Sequence, residues 1–264
     1  MAIVTVFSVC EKCLGFLYRI YLSRSIGAEG VGLYQVSLSV FAFLLTVTCS
    51  GTPVTVSRLM TKYKSENAPD RVKKVVTAGL LITALISVPV CAVFYVAGGK
   101  FSFLFADERC VAIFRVILPG LVFTSLYAVF RGVFWGNKDF LPYSVIELLE
   151  EACMILVGII LINGCADAYT GAFRAGVAVL VSYVFSFTLA TIVFPLRLVA
   201  AGFTESQAMS LFGAAVGQAL PILFIPTTLI GSFTLVLVPE ISESFYKKQN
   251  AYLKNDVEKA VKFT

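Results

Sequence analysis

Lys12 and Arg19 stand seven residues apart inside an otherwise apolar stretch. Seven residues are about two helical turns, so on a helix both cations share a face. An ionisable group at membrane depth costs at least about 2.5–3.5 kcal/mol on insertion scales, so it faces a cavity or a partner. Two cations on one face can hold a diphosphate, with the arginine offering a bidentate fork. A second reading stands beside this one, in which Glu11 pairs with Lys12 at the interface and Arg19 snorkels outward. Arg24 and Arg58 lie near span ends, and Arg58 also reads as a positive-inside anchor.

Glu147, Glu150 and Glu151 fall at i, i+3 and i+4, which on a helix is one face. Three carboxylates together repel, an arrangement relieved by a proton or a cation such as Na+, and that suits ion coupling or charge balancing. The alternative is a solvated helix end, since Pro142 is placed to start that helix. Arg131 ends the preceding apolar block and can pair with Glu147 or Glu150 across a short turn. Gln35 and Gln218 are polar groups in apolar blocks, suited to bonding between helices or to contacting substrate.

These residues need helices in lipid to position them. The chain has 264 residues, 58% hydrophobic and 14% charged, against about 45–50% and about 25% in soluble domains. The apolar residues come in blocks of about 20, the length that crosses about 30 Å of hydrocarbon. Solid apolar runs without alternation exclude a barrel, so the fold class is an all-α integral membrane protein. The blocks predict about seven spans: Ala2–Ser23, Val31–Gly51, Val72–Ala97, Val111–Trp135, Pro142–Ile162, Gly171–Phe194 and Leu211–Val238. Pro89, Pro119, Pro221 and Pro226 mark kinks. Phe101, Phe103 and Phe105 suggest an interfacial aromatic belt.

The net charge of +5 lies between the blocks, which fits positive cytoplasmic loops better than nucleic-acid binding. Arg58, Lys62, Lys64, Arg71, Lys73 and Lys74 put the loop after the second span inside, and Arg131 and Lys138 mark a second internal turn. The segment with Lys100, Asp107, Glu108 and Arg109, and the one over 163–169, are then external. Seven crossings would leave a tail carrying Lys247, Lys248, Lys254, Lys259 and Lys262 outside, against the rule. An internal repeat raises the same conflict: Pro53-Val-Thr-Val-Ser57 matches Pro239-Glu-Ile-Ser-Glu243, each followed by a basic, amphipathic segment. Equivalent points in two like halves need an even number of spans between them. One span is therefore expected to be missing near the sixth.

Catalysis is not indicated. There is no His, no nucleophile with a base beside it and no nucleotide-binding motif, so an enzyme is not expected. Seven Cys, several inside apolar blocks, are not a disulfide framework, and the Cys10–Cys13 pair has no companion to complete a zinc site, so neither a metal site nor a cofactor is expected. No cleavable leader is evident, and the abrupt ends suggest a fragment.

An ordered set of segments carries a family resemblance. Leu14-Gly-Phe-Leu-Tyr-Arg-Ile20, Gly27-x-x-Gly30-x-Gly-Leu-Tyr-Gln35, Gly51-Thr-Pro-Val-Thr-Val-Ser-Arg58, Phe130-Arg-Gly132 with Gly136 and Pro142, and Leu237-Val-Pro-Glu-Ile-Ser-Glu243 resemble the stage V sporulation protein B-like flippases. These are similar to the polysaccharide exporters of the multidrug/oligosaccharidyl-lipid/polysaccharide superfamily. The resemblance implies a MATE-like fold of two bundles in about twice this length, with residues 1–200 as a first, six-helix bundle and 201–264 as the start of a second with a basic cytoplasmic segment. It implies a bacterial plasma-membrane flippase for an undecaprenyl-diphosphate-linked saccharide, such as a peptidoglycan precursor for spore cortex, working by alternating access. Lys12, Arg19, Arg58 and Arg131 would hold the head group, with Arg58 near the cavity floor. Met154 stands where a basic residue four positions after Glu150 is expected, against a Glu–Arg pair within that helix. Two alternatives remain: a cation-coupled multidrug exporter of the same superfamily, and a truncated membrane protein that does not transport. The lipid-linked saccharide and membrane lipids are the expected partners.

Overall fold

The computed structural model describes residues 2–66, 68–96, 105, 107–165, 167–200 and 202–214. Among the described residues the regular elements are helices: α1 (Ala2–Cys49), α2 (Thr52–Ser65), α3 (Pro69–Val96), α4 (Arg109–Ile117), α5 (Gly120–Gly136), α6 (Phe140–Ile162), α7 (Ala168–Ala200) and α8 (Glu205–Phe212). Lys100, Phe101, Phe103, Gln218, Pro221, Pro226, the Pro239 segment and the basic tail lie outside them.

Among the described residues, four stretches are long and apolar enough to cross a membrane: Thr5–Ser65, Pro69–Val96, Arg109–Gly136 and Ala168–Ala200. α6 has 23 residues, long enough at about 1.5 Å per residue, but carries its three glutamates mid-helix.

The first two expected spans are one helix with a sharp bend. Gly27 takes φ 70° and ψ 177°, a region essentially reserved for glycine. The bend returns the second limb along the first, so that Tyr18 and Tyr34 line the same cavity. The expected end at Gly51 also moves. Pro53 has no N–H to donate to Cys49, which opens the ladder there. Gly51 nevertheless stays right-handed helical (φ −84°, ψ −15°), and the Thr55 amide donates to its carbonyl at 3.1 Å. The chain kinks at Pro53 and runs on through α2, so Arg58 sits on a helix and not in a loop.

The block over Val111–Trp135 divides at Pro119, which lacks the donor to continue α4 and starts α5 instead. α5 is apolar on every side, and nearly all its residues are buried, as a central helix requires. Phe130 packs on Phe194 of α7 with ring centroids 4.9 Å apart. α2 lies against α5 through two glycines four residues apart: a Cβ at Gly132 would stand 2.8 Å from the Pro53 carbonyl, and one at Gly136 2.7 Å from the Met60 Cβ. Small residues at this spacing let membrane helices approach closely. Thr61 donates to the Gly136 carbonyl across the contact at 3.3 Å.

α7 is a single helix of 33 residues, about 50 Å long. One helix thus occupies the stretch near the sixth span where a crossing was expected to be missing. Phe105, expected in an interfacial belt, is instead buried, 5.3 Å from the Phe114 ring. Outward faces are apolar, as at Leu85 (74% exposed) and Ile160 (73%), which suits lipid and not water.

Polar contacts sort the chain turns into two ends. One end joins Lys64 to Asn137 at 3.2 Å and Arg197 to Asp139 at 3.8 Å. The other joins Arg109 to Glu29 at 2.8 Å and to Asp107 at 2.7 Å. This is the division that the loop charges predict. α8 begins with a capping box, Thr204 accepting from the Gln207 amide and Gln207 from the Thr204 amide.

Candidate functional site

The polar residues inside the bundle form two adjoining groups. The first surrounds a cavity of about 450 Å³ between both limbs of α1, α6 and α7. Glu11, Lys12, Gly15, Tyr18 and Arg19 reach it from the first limb at helical spacing, so the expected shared face of Lys12 and Arg19 opens into it. The second limb contributes Tyr34 and Gln35, α6 contributes Glu151, and α7 contributes Tyr183. Gly15 makes room for α6: a Cβ there would lie 3.0 Å from the Glu151 carboxylate.

Two cations and two carboxylates line this space, and they are unequally engaged. Lys12 donates to Glu11 at 3.1 Å and is 81% exposed, a solvated pair worth little. Arg19 makes no ion pair among the described residues. It is the cation left to meet an anion in the cavity. It stands eight residues from the Gly27 bend, about 12 Å along the helix.

The second group lies between α5 and α6. Arg131 pairs with Glu147, not Glu150, at 3.5 Å, with both side chains about a quarter exposed (25% and 24%). Its guanidinium sits 5.5 Å from the ring centroids of both Tyr127 and Tyr143, which adds cation–π attraction from two sides. Tyr127 is one turn before Arg131 and Tyr143 one turn before Glu147, a spacing that could have disclosed this box in the sequence. Among the described residues the buried Arg131 Nε and the Tyr127 and Thr124 hydroxyls find no hydrogen-bond partner, so the region has polar capacity to spare.

The three glutamates share α6 but turn to different neighbours. Glu147 faces Arg131 on α5, Glu150 approaches Ser186 on α7, and Glu151 reaches the first cavity beside Gly15. Among the described residues no three His, Cys, Asp or Glu converge to hold a metal. Of the four expected head-group contacts, Lys12 and Arg19 share the cavity, Arg131 is held in the neighbouring box, and Arg58 stands exposed on α2 outside both. Tyr18, Tyr34 and Tyr183 were not foreseen, since an aromatic in an apolar block gives no sign of its facing until the helices are packed.

Outside the spans, two aspartates are held below the usual carboxylate range. Asp107 owes this to hydrogen bonds from the Arg109 side chain and amide. Asp167 owes it to the Thr170 amide and hydroxyl, both at 2.9 Å, at the start of α7.

Comparison with known proteins places this architecture. The family model described as polysaccharide biosynthesis protein matches residues 1–234. The chain is 28% identical over 145 residues to stage V sporulation protein B of Bacillus subtilis (strain 168), covering 54% of this chain and 28% of that protein. It is 25% identical over 191 residues to the lipid II flippase MurJ of the same organism, covering 69% and 34%. It is 23% identical over 149 residues to the membrane protein YabM, again of that organism, covering 56% and 27%. The matched part thus spans about a third or less of these relatives' lengths. No solved structure matches the chain.

Proposed function

Because the chain belongs to the polysaccharide biosynthesis protein family and is a multi-pass bacterial plasma-membrane protein, we propose that it forms the first bundle of a flippase for a lipid-linked saccharide. The substrate would be an undecaprenyl-diphosphate-linked saccharide, such as a peptidoglycan precursor for spore cortex. Residues 1–200 would make that bundle, and residues 201–264 would open a second, which the two-bundle mechanism of alternating access requires. The first bundle would cross the bilayer six times, and a seventh crossing would begin near Leu211, as a MATE-like fold requires.

The observation that carries this reading is Arg19, uncommitted to any carboxylate among the described residues and facing a cavity at membrane depth. A fixed cation there replaces part of the hydration that a diphosphate loses on leaving water. About 450 Å³ falls within the range of small-ligand sites, about 300–1,000 Å³, so the cavity suits a head group and not a whole lipid-linked glycan. Lys12 supplies a second contact on releasing Glu11. Arg131 and Arg58 would act at the border of this space, and Glu147, Glu150 and Glu151 would balance charge or couple H+ or Na+ movement.

The test is flipping of a lipid-linked saccharide by the full-length protein in proteoliposomes. Arg19→Ala removes a charge-assisted bond worth about 1.5–3 kcal/mol and is expected to slow transport about 10- to 100-fold. Unchanged transport removes the main contact and with it this reading.

Glu11 and Glu151 in the same lining favour a second reading, export of cationic drugs coupled to a cation. Stabilisation of the protein against heat by a cationic drug, and not by a polyprenyl diphosphate, would select it.

A further inference from the structure

A groove of about 450 Å³ runs along the outer side of the bundle between α2 and α3. It has a charged mouth and an apolar floor. Arg71 and Lys74 stand at the mouth, one turn apart on α3 at the basic end. Leu59 of α2 and Ala78, Gly79 and Ile82 of α3 line the part below. Ala78 and Ile82 are seven and eleven residues beyond Arg71, hence about 10 and 16 Å deeper along the helix. The small Ala78 side chain leaves the hollow, and Ile82 (58% exposed) borders it on the side open to lipid.

From this arrangement we propose that the groove binds one anionic phospholipid of the basic-side leaflet, its phosphate between Arg71 and Lys74 and one acyl chain against Ala78, Gly79 and Ile82. Charge complementarity selects this occupant. A phosphodiester meets two cations, and the apolar floor starts at the depth where an acyl chain leaves its headgroup. Lys74 carries no ion pair among the described residues. Arg71 is shared with Glu66 at 3.3 Å and lies over the Tyr63 ring at 5.6 Å; both contacts are exposed and hold the guanidinium at the mouth without saturating its donors. The site depends on the membrane assignment, not on any transport activity, and lies on a different face from the cavity containing Arg19.

The test is lipid retention by the purified full-length protein in detergent, read by native mass spectrometry and by thermal unfolding with added phosphatidylglycerol or phosphatidylcholine. The wild type is expected to retain phosphatidylglycerol and to be stabilised by it over phosphatidylcholine. Arg71→Gln with Lys74→Gln should weaken this roughly ten- to thirtyfold, at about 1 kcal/mol per basic residue near the surface. Lys138→Gln removes a charge from the same end, away from the groove, and should leave the preference intact. Ala78→Leu keeps both cations but fills the floor, and should reduce retention as far as the charge variant does. Equal stabilisation by both lipids, full retention by Ala78→Leu, or an equal loss in Lys138→Gln would each overturn the site and leave only a diffuse surface-charge effect.

Discussion

Replacing Arg131 should cost more than replacing Glu147, although the two form one ion pair. Unit charges 3.5 Å apart attract by about 5 kcal/mol at an effective dielectric constant of about 20. Each side chain is about a quarter exposed, and screening there brings the expected coupling to about 2–3 kcal/mol. Arg131→Gln also removes a cation stacked on two tyrosines and strands Glu147 between helices, so the loss should be about 3–5 kcal/mol. Glu147→Gln leaves the guanidinium over Tyr127 and Tyr143, and about 1–3 kcal/mol is expected because those contacts survive. Unfolding in mixed detergent and dodecyl sulfate micelles measures this directly. Trp135, the single tryptophan of the chain, lies 5.7 Å from the Tyr143 ring and reports the site by fluorescence. The single and double variants complete a double-mutant cycle. Additivity within about 0.5 kcal/mol, or a Glu147→Gln loss as large as that of Arg131→Gln, would refute the box.

Other perturbations follow from local geometry. Gly136→Ala puts a methyl 2.7 Å from the Met60 Cβ and should destabilise by about 1–3 kcal/mol, whereas Gly32→Ala, with nothing within 4 Å, should be neutral or slightly stabilising; the same unfolding assay distinguishes them. Gly27→Ala forces a side chain into a glycine-only conformation and should cost about 1–3 kcal/mol, seen as a lower Tm, and an unchanged Tm would count against the bend. Asp167 has a folded value below its unfolded one, so its capping of α7 is fully present at neutral pH and is lost as pH falls through the lowered value. Hydrogen exchange at the Thr170 amide, corrected for intrinsic rate, should show this acid loss in the wild type, and constant weak protection in Asp167→Ala.

Membrane residence, helical class and the sorting of turns to two ends were all legible in the linear chain, because hydrophobic length and loop charge are properties of composition along the sequence. The pairing of Lys12 and Arg19 on one face was legible too, since a helix converts spacing into direction. Packing decided the rest. Whether Pro53 ends a span or only kinks it depends on Gly51 staying helical and on α5 offering glycines for α2 to lie against. Whether three glutamates act as one cluster depends on which helices surround α6, and Arg131, Ser186 and Gly15 draw them apart. Whether a cation is free or committed depends on distance: Lys12 and Arg131 each find a carboxylate, and Arg19 finds none among the described residues. Spacing determines which way a side chain points from its own helix, but only the neighbouring helices determine what it meets there.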